Sequence, residues 1–173
     1  MRTKRLQLRL PTSANCESFL TAVRASVSLH QPWVFPPDSP AAFETYLQRL
    51  ARDDQDGRLI CLQSTGELVG VINLNNIIRG AFQNAFLGYY AFVPFAGQGL
   101  MGEGLRLMLA YAFRELQLHR VEANIQPGNF ASLALVKRCG FVKEGFSRRY
   151  LQVNGEWRDH ERWALLVEDW ETT

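Results

Sequence analysis

The stretch that decides the fold is Pro94–Gly104, PFAGQGLMGEG, which contains four glycines. It follows an apolar run and leads into a helical stripe in which apolar residues recur every three or four positions from Leu105 to Leu116. Glycines let the backbone come close to a ligand, and the free N–H groups at a helix start suit a phosphate group. We therefore predict an anion site at a strand-to-helix junction, with a purely structural tight turn as the alternative.

Downstream of this junction the pattern predicts alternating elements. A helix over Gly102–Leu118 is followed by a strand over Arg120–Gln126 and a helix that begins at Asn129 and ends before Gly140. Asn154-Gly155 then separates two strand-like runs, 146–153 and 157–166, and suits the turn of a β-hairpin.

Upstream, the chain begins with a strand-like alternation over Arg5–Leu10 and a helix that reaches about His30. A proline-rich loop, Gln31–Ser39, precedes a second helix over Pro40–Arg52, and the run Arg58–Phe92 reads as a three-strand meander. The order β-α-α-β-β-β-α-β-α-β-β predicts an α/β fold with about seven strands and four flanking helices.

Composition bounds the function classes. The 173 residues are expected to form one domain, 1–173, and the 47% hydrophobic and 21% charged residues are typical of a folded globular protein. A net charge of +2 argues against direct nucleic-acid binding. Cys16, Cys61 and Cys139 lack disulfide or metal-site spacing, so we expect no metal and a cytoplasmic location. No stretch resembles a signal peptide or a membrane span.

The segment Gly97–Gly102 also matches the dinucleotide-binding pattern GxGxxG, with Glu122 twenty residues further on. A nucleotide-binding domain would need several more βα units after it, whereas only 71 residues follow and they end in a hairpin. Glu122 also falls near the start of its strand. These features disfavour a dehydrogenase.

Four features together resemble the GCN5-related N-acetyltransferases (GNAT family). They are Gly88-Tyr89, the loop Gly97–Met101 with Glu103, the pair Asn129 and Ser132, and Gly140-Phe141. The later residues Lys143–Gly145, Tyr150-Leu151 and Asn154–His160 resemble more narrowly the ribosomal-protein-alanine N-acetyltransferase branch, RimJ and RimL. The resemblance covers almost the whole chain.

This resemblance implies a mixed, mostly antiparallel sheet with acetyl-CoA bound where two parallel strands splay, here Phe86–Val93 and Arg120–Gln126. Backbone groups near Phe92 and Val93 would pair with the pantetheine arm. The pyrophosphate would lie on the loop formed by Gly97, Gln98, Gly99, Leu100, Met101 and Gly102. Ala96 and Met101 depart from the usual family loop, and Ala96 removes one polar contact.

Catalytic expectations centre on Ser132. By resemblance it would protonate the CoA thiolate, and Asn129 would contact the cofactor, although both residues could serve only as a helix start. The tyrosine that other family members use falls on Val136. The glutamate base of part of the branch falls on Leu151, which leaves four weaker candidates, namely Glu103, Glu122, Asp159 and His160.

The acceptor is expected to be a primary amine, most plausibly a protein N-terminus. An α-amine has a pKa of about 7.7–8.0 and needs little help to be neutral, whereas a lysine near 10.4 needs a strong base. Trp33 and Phe35 are candidate acceptor-side residues, with plain core packing as the alternative for Trp33. A small-amine acetyltransferase and a non-catalytic acyl-CoA-binding module remain alternatives. The resemblance also allows a homodimer, with Trp157 and Trp163 as candidate interface residues and core burial as an equally good explanation of both. His30 and His119 carry no functional prediction.

Overall fold

A computed structural model of the chain describes residues 1–171. Its centre is a seven-stranded sheet with the strand order β1-β2-β3-β4-β5-β7-β6. The strands are β1 Leu6–Arg9, β2 Asp56–Leu62, β3 Leu68–Ile78, β4 Asn84–Ala91, β5 Arg120–Ile125, β6 Val142–Val153 and β7 Glu156–Leu166. Every neighbouring pair is antiparallel except β4 with β5. The predicted mixed, mostly antiparallel sheet is confirmed.

Six α-helices flank this sheet within the described residues, where the sequence predicts four. They are α1 Cys16–Ala25, α2 Val27–His30, α3 Pro40–Leu50, α4 Leu100–Ala110, α5 Phe130–Arg138 and α6 Val167–Glu171. The first predicted helix is split because Ser26 leaves helical geometry, with its hydroxyl donating to Ala22 O and accepting from the Val93 N–H. The short C-terminal helix α6 was missed; its Trp170 packs on Phe113.

The helix after the glycine-rich loop changes character at its end. The α-helical part stops at Ala110, and Tyr111–Glu115 form a π-helical turn in which the Leu116 N–H donates to Tyr111 O. The Tyr111 hydroxyl donates to Asp56 on β2 at 2.9 Å. The predicted helix over Gly102–Leu118 is therefore found at the expected position, but its last part is π-helical and not α-helical.

Helices cover both faces of the sheet. Leu105, Met108 and Leu109 of α4 pack on one face, and Phe19 of α1 with Phe43 of α3 pack on the other. Successive strand residues point to opposite faces, so a strand covered on both sides is apolar throughout. This explains the uninterrupted apolar run at residues 59–62 of β2.

The parallel pair opens part-way along its length. β4 and β5 are in register from Asn84 with Arg120 to Leu87 with Ala123, and the pairing ends there although both strands continue. Beyond that point β4 runs on to Ala91 without β5 beside it. The splayed pair expected from the resemblance is present.

The hairpin of β6 and β7 turns at Asn154 and Gly155, whose φ angles of 48° and 80° are those the sequence pair favours. Trp157 on β7 is 61% exposed, whereas Trp163 is 5% exposed and packs in the core. Trp163 therefore cannot cover an interface between copies, and this part of the expectation is wrong. None of the helices in the range 1–171 has the length and apolar character that crossing a membrane requires.

Candidate active site

A cavity of about 550 Å³ lies at the place where β4 and β5 separate. Its walls come from four segments: the end of α2 with the loop after it, the end of β4, the glycine-rich loop, and one side of α5 along its whole length. We call it the first cavity. A second cavity of about 910 Å³ lies beside it and shares Val34, Tyr89 and Tyr90 with it.

The glycine-rich loop presents an open backbone to the first cavity. Gly97 and Gly99 have φ angles of 78° and 76°, and a Cβ built on either would have no atom within 4 Å. Gly99 is the residue before α4, so the N–H groups of the first turn of α4 are available next to this open space. The positive dipole end and the free donors suit a pyrophosphate.

The loop side chains divide between the cavity and the protein. Ala96, Gly97, Gly99, Met101 and Gly102 line the first cavity. By contrast, Gln98 donates through Nε2 to Pro94 O at 2.9 Å, and Leu100 is buried in the core.

Met101 is accommodated because the β3 residue beneath it, Gly70, has no side chain. A Cβ on Gly70 would lie 2.6 Å from the Met101 sulfur. The departure from the family pattern at Met101 is thus matched by a glycine on β3.

The backbone groups that face the gap between β4 and β5 are not those of Phe92 and Val93. The Phe92 N–H donates to Val69 O on β3 at 2.8 Å, and the Val93 N–H donates to Ser26 Oγ at 3.0 Å. Neither residue lines the first cavity. Alternate residues of an antiparallel strand point their backbone groups to opposite sides, so Tyr89 and Ala91 turn theirs away from β3 and toward the gap.

His30 holds one of these groups. Its Nε2 lies 2.7 Å from Ala91 O, which can only accept, so Nε2 carries the hydrogen. The ring is 3% exposed, and Nδ1 has no hydrogen-bond partner among the described residues. Burial lowers the pKa of the imidazole, against the opposing effect of the bond to Ala91, and therefore favours the neutral form.

Ser132 lies where α5 begins. Asn129 caps this helix and accepts the Ser132 N–H at 3.1 Å, so the expected helix-start roles are both present. The Ser132 hydroxyl is also 2.5 Å from the Tyr89 hydroxyl, and all three residues line the first cavity. The structure therefore brings Asn129 and Ser132 into the first cavity and adds Tyr89.

Tyr89 keeps its proton. Burial raises the pKa of its hydroxyl well above its usual value, although the hydrogen bond to Ser132 works in the other direction. A protonated Tyr89 can donate to Ser132 Oγ, which leaves the serine hydrogen free to point elsewhere.

The two predicted aromatic residues of the proline-rich loop occupy different places. Trp33 lines the first cavity and covers Gly128, where an added Cβ would lie 3.0 Å from its ring. Phe35 is 44% exposed and lines the second cavity.

None of the four base candidates reaches either cavity. Glu103 accepts from Thr3 and Arg5, and these partners lower the pKa of its carboxyl although burial alone would raise it. Glu122 pairs with Arg120 at 2.9 Å. The Arg149 N–H donates to Asp159 at 2.7 Å.

His160, the fourth candidate, is buried, and its Nδ1 lies 2.9 Å from Arg158 O. Among the described residues, one carboxylate lines a cavity: Asp38, which lies in the second cavity.

Comparison with known proteins decides the family. The family model described as an acetyltransferase (GNAT) domain matches residues 5–142. The chain belongs to the GNAT family.

Two relatives and one solved structure show what this GNAT domain is similar to. YjcK of Bacillus subtilis (strain 168), a probable N-acetyltransferase, is 42% identical over 124 residues, which cover 72% of this chain and 68% of YjcK. The ribosomal protein uS5-alanine N-acetyltransferase of Escherichia coli (strain K12) is 42% identical over 104 residues, which cover 60% of this chain and 54% of that enzyme. The structure of Mycobacterium smegmatis RimJ in complex with CoA-disulfide superposes with a TM-score of 0.86 at 28% identity, covering 94% of this chain and 82% of that one.

This GNAT domain is an acetyl-CoA-dependent N-acetyltransferase. The first cavity fits that donor, because it combines the open backbone at Gly97 and Gly99 with the unpaired end of β4. Sequence reasoning missed His30 and the part played by Tyr89. The only signal for Tyr89 was its place in the family-like pair Gly88-Tyr89, and nothing in the pattern around His30 distinguishes it from a core histidine.

Gly99→Asp is expected to weaken acetyl-CoA binding at least about a hundredfold without unfolding the protein. The new carboxylate would stand in the open space at the start of α4, where like charges about 4 Å apart repel by about 4 kcal/mol in a surface site. Calorimetric titration with acetyl-CoA measures the change.

Gly80→Asp is the matched control for this change. Gly80 is exposed, has a φ angle of 70° and has no atom within 4 Å of an added Cβ, so the backbone strain is the same away from the cavity. Equal affinities in two folded variants would remove the loop from the binding site.

Proposed function

We propose that this enzyme acetylates the N-terminal α-amine of a protein, with a ribosomal protein as the acceptor. The amine attacks the thioester directly while both substrates are bound. Support comes from the similarity to the uS5-alanine N-acetyltransferase and to the RimJ structure, together with the features of the two cavities. A ribosomal-protein acceptor would place the reaction in the cytoplasm.

The observation that carries this proposal is that two cavities meet at β4. The first cavity has the loop and the unpaired backbone suited to acetyl-CoA, and the second opens to the same residues, Tyr89 and Tyr90, from the side of α3. An acceptor in the second cavity can therefore bring its amine to the splay point while the donor fills the first. This arrangement suits a ternary complex.

Ser132 supplies the proton for the leaving thiolate in this proposal. The amine nitrogen forms a bond to the acetyl carbon, the carbon–sulfur bond breaks, the nitrogen loses one proton and the sulfur gains one. With Tyr89 donating to Ser132 Oγ, the serine hydrogen is free for the sulfur. Tyr89 acts through Ser132 and is a positioning residue.

The lack of a nearby base favours an α-amine. Among the side chains that the structure describes, no carboxylate lines the first cavity, and the one that lines the second is Asp38. A lysine would need its pKa lowered by about three units, or roughly 4 kcal/mol, to be neutral near pH 7.5, whereas an α-amine is already largely neutral there. The site is suited to the easier of the two acceptors.

The remaining assignments place the expected residues around these two substrates. Asn129 caps α5 and keeps Ser132 in the first cavity. The backbone of Tyr89 and Ala91 is assigned to the pantetheine arm in place of Phe92 and Val93. Trp33 borders the donor, and Phe35 borders the acceptor.

The acceptor class is tested by measuring thiol release from acetyl-CoA with a panel of amines. The panel contains a peptide with a free N-terminus, the same peptide N-formylated but bearing a lysine, spermidine, and free amino acids. We expect release with the free N-terminus and a product that mass spectrometry places on the α-amine. Faster acetylation of the lysine side chain, of spermidine or of a free amino acid would overturn the proposal.

Ser132→Ala is expected to lower kcat by about tenfold to a hundredfold and to change the KM for acetyl-CoA much less. General acid help of this kind is typically worth about 10²–10⁴, with the smaller effect expected for a thiolate leaving group. Single-turnover kinetics show whether acetyl transfer limits the rate.

Ser18→Ala provides the control because Ser18 holds the same position, the third residue of its helix, on the exposed side of α1. It should lose no activity. A kcat for Ser132→Ala within twofold of the unmodified enzyme, with chemistry limiting, would show that the proton comes from elsewhere.

A further inference from the structure

The lining of the second cavity carries information about the acceptor beyond its amine. Its charged side chains are Arg49 and Arg52 of α3 and the segment that follows, and Asp38 of the proline-rich loop. Two guanidinium groups against one carboxylate is the reverse of what a polyamine site requires. A polyamine would find no cluster of carboxylates in this lining, whereas an anionic group would find a guanidinium.

Arg49 is the cation left for a ligand. Arg52 already makes a two-pronged contact with Asp54, at 3.0 Å and 2.9 Å. Arg49 is exposed and has no carboxylate partner in the described part of the chain, and its guanidinium lies over the ring of Tyr46, 5.4 Å from the ring centre. Stacking on an aromatic ring fixes the plane of a guanidinium and leaves its edge donors free.

A series of contacts connects Arg49 to the place where β4 and β5 separate, just after Leu87. The Tyr46 hydroxyl donates to Asn73 Oδ1 at 2.8 Å, and Asn73 on β3 pairs with Gly88 on β4, next to Tyr89. The 2.8 Å contact, about 2.8 Å from the tyrosine oxygen to its ring centre, and the 5.4 Å contact place the guanidinium at most about 11 Å from Asn73 Oδ1, the span of about three extended residues at about 3.4 Å each. A carboxylate two or three residues after the acetylated amine can reach Arg49.

Side-chain amides give the same cavity a lining suited to a peptide backbone. They belong to Gln55, Asn73, Asn75, Asn76 and Asn154. A carboxamide both donates and accepts, as peptide groups do. Gln55 is 8% exposed, its Nε2 donates to Asn76 Oδ1 at 3.3 Å, and its Oε1 has no partner among the described residues.

We infer that the second cavity selects protein N-termini with an acidic residue at the second or third position after the acetylated one, and that Arg49 reads this carboxylate. The inference rests on the proposed function, and it names the subclass of acceptor within it. A volume of about 910 Å³ lies at the upper end of the range for small-ligand pockets, about 300–1,000 Å³, and exceeds what one amino acid needs. The second cavity therefore has room for a peptide segment, and its amide lining supplies partners for one.

The test compares three peptides that share an N-terminal alanine and differ only at the second and third positions after it, which carry Asp and Glu, Asn and Gln, or Lys and Arg. We expect kcat/KM by thiol release to be about tenfold higher for the acidic peptide than for the amide peptide, through KM, and lowest for the basic one. A charge-assisted hydrogen bond of about 1.5 kcal/mol or more gives this factor.

Arg49→Glu should reverse the order of the acidic and basic peptides. Arg24→Glu is the control, since Arg24 also lies in the last turn of a helix, on α1, and outside both cavities. The control should keep the original order.

Three failures are distinguishable. Equal rates for the three peptides, all modified on the α-amine, would overturn the selectivity and leave the proposed function standing. Modification of spermidine or free amino acids but of no peptide would overturn both. Loss of the preference in Arg24→Glu as well as in Arg49→Glu would show that overall charge, not Arg49, selects the acceptor.

Discussion

The site depends on one constraint, which is that β4 continues after β5 has left it. Backbone N–H and C=O groups need partners, and a strand edge without a neighbour offers them to whatever can lie beside it. Past Leu87, the N–H and C=O of Tyr89 and the N–H of Ala91 face such a gap, while the Ala91 carbonyl accepts from His30, and the open backbone at Gly97 and Gly99 follows a few residues later. A ligand with amide groups at one end and phosphates at the other meets both surfaces in sequence.

Several contacts keep this edge open and fixed. Ser26, which precedes α2, and His30, which ends it, hold the end of β4 and the residues just after it through the Val93 N–H and the Ala91 carbonyl. On the opposite side, the ion pair of Arg5 with Glu103 ties the chain before β1 to the first turn of α4. The edge is thus positioned by elements that are far apart in sequence, and the helix that ends at His30 leads directly into the loop that borders the acceptor.

The sequence predicted the parts of this arrangement that depend on local pattern. The alternation in β1 and β5, the helical stripe from Leu105 and the Asn154-Gly155 turn each follow from side-chain period or backbone preference, and all were found. The resemblance placed Ser132 and the glycine loop where the structure puts them, beside the cavity.

The errors came from long-range contacts. Nothing local shows that Ser26 breaks a helix to reach Val93, that the Phe92 N–H belongs to β3, or that His30 lies against Ala91, since each depends on a partner more than twenty residues away. For the same reason the local sequence does not show that Glu103, a candidate base, is paired with Arg5.

Amide hydrogen exchange, followed residue by residue by NMR with and without CoA, tests the central claim most directly. The account predicts that CoA slows exchange at the Tyr89 and Ala91 amides by more than about tenfold. The Phe92 and Val93 amides, already bonded to Val69 and Ser26, should be protected in both states and change little. Unchanged exchange at Tyr89 and Ala91 when calorimetry shows the site saturated, or new protection at Phe92 and Val93 instead, would contradict it.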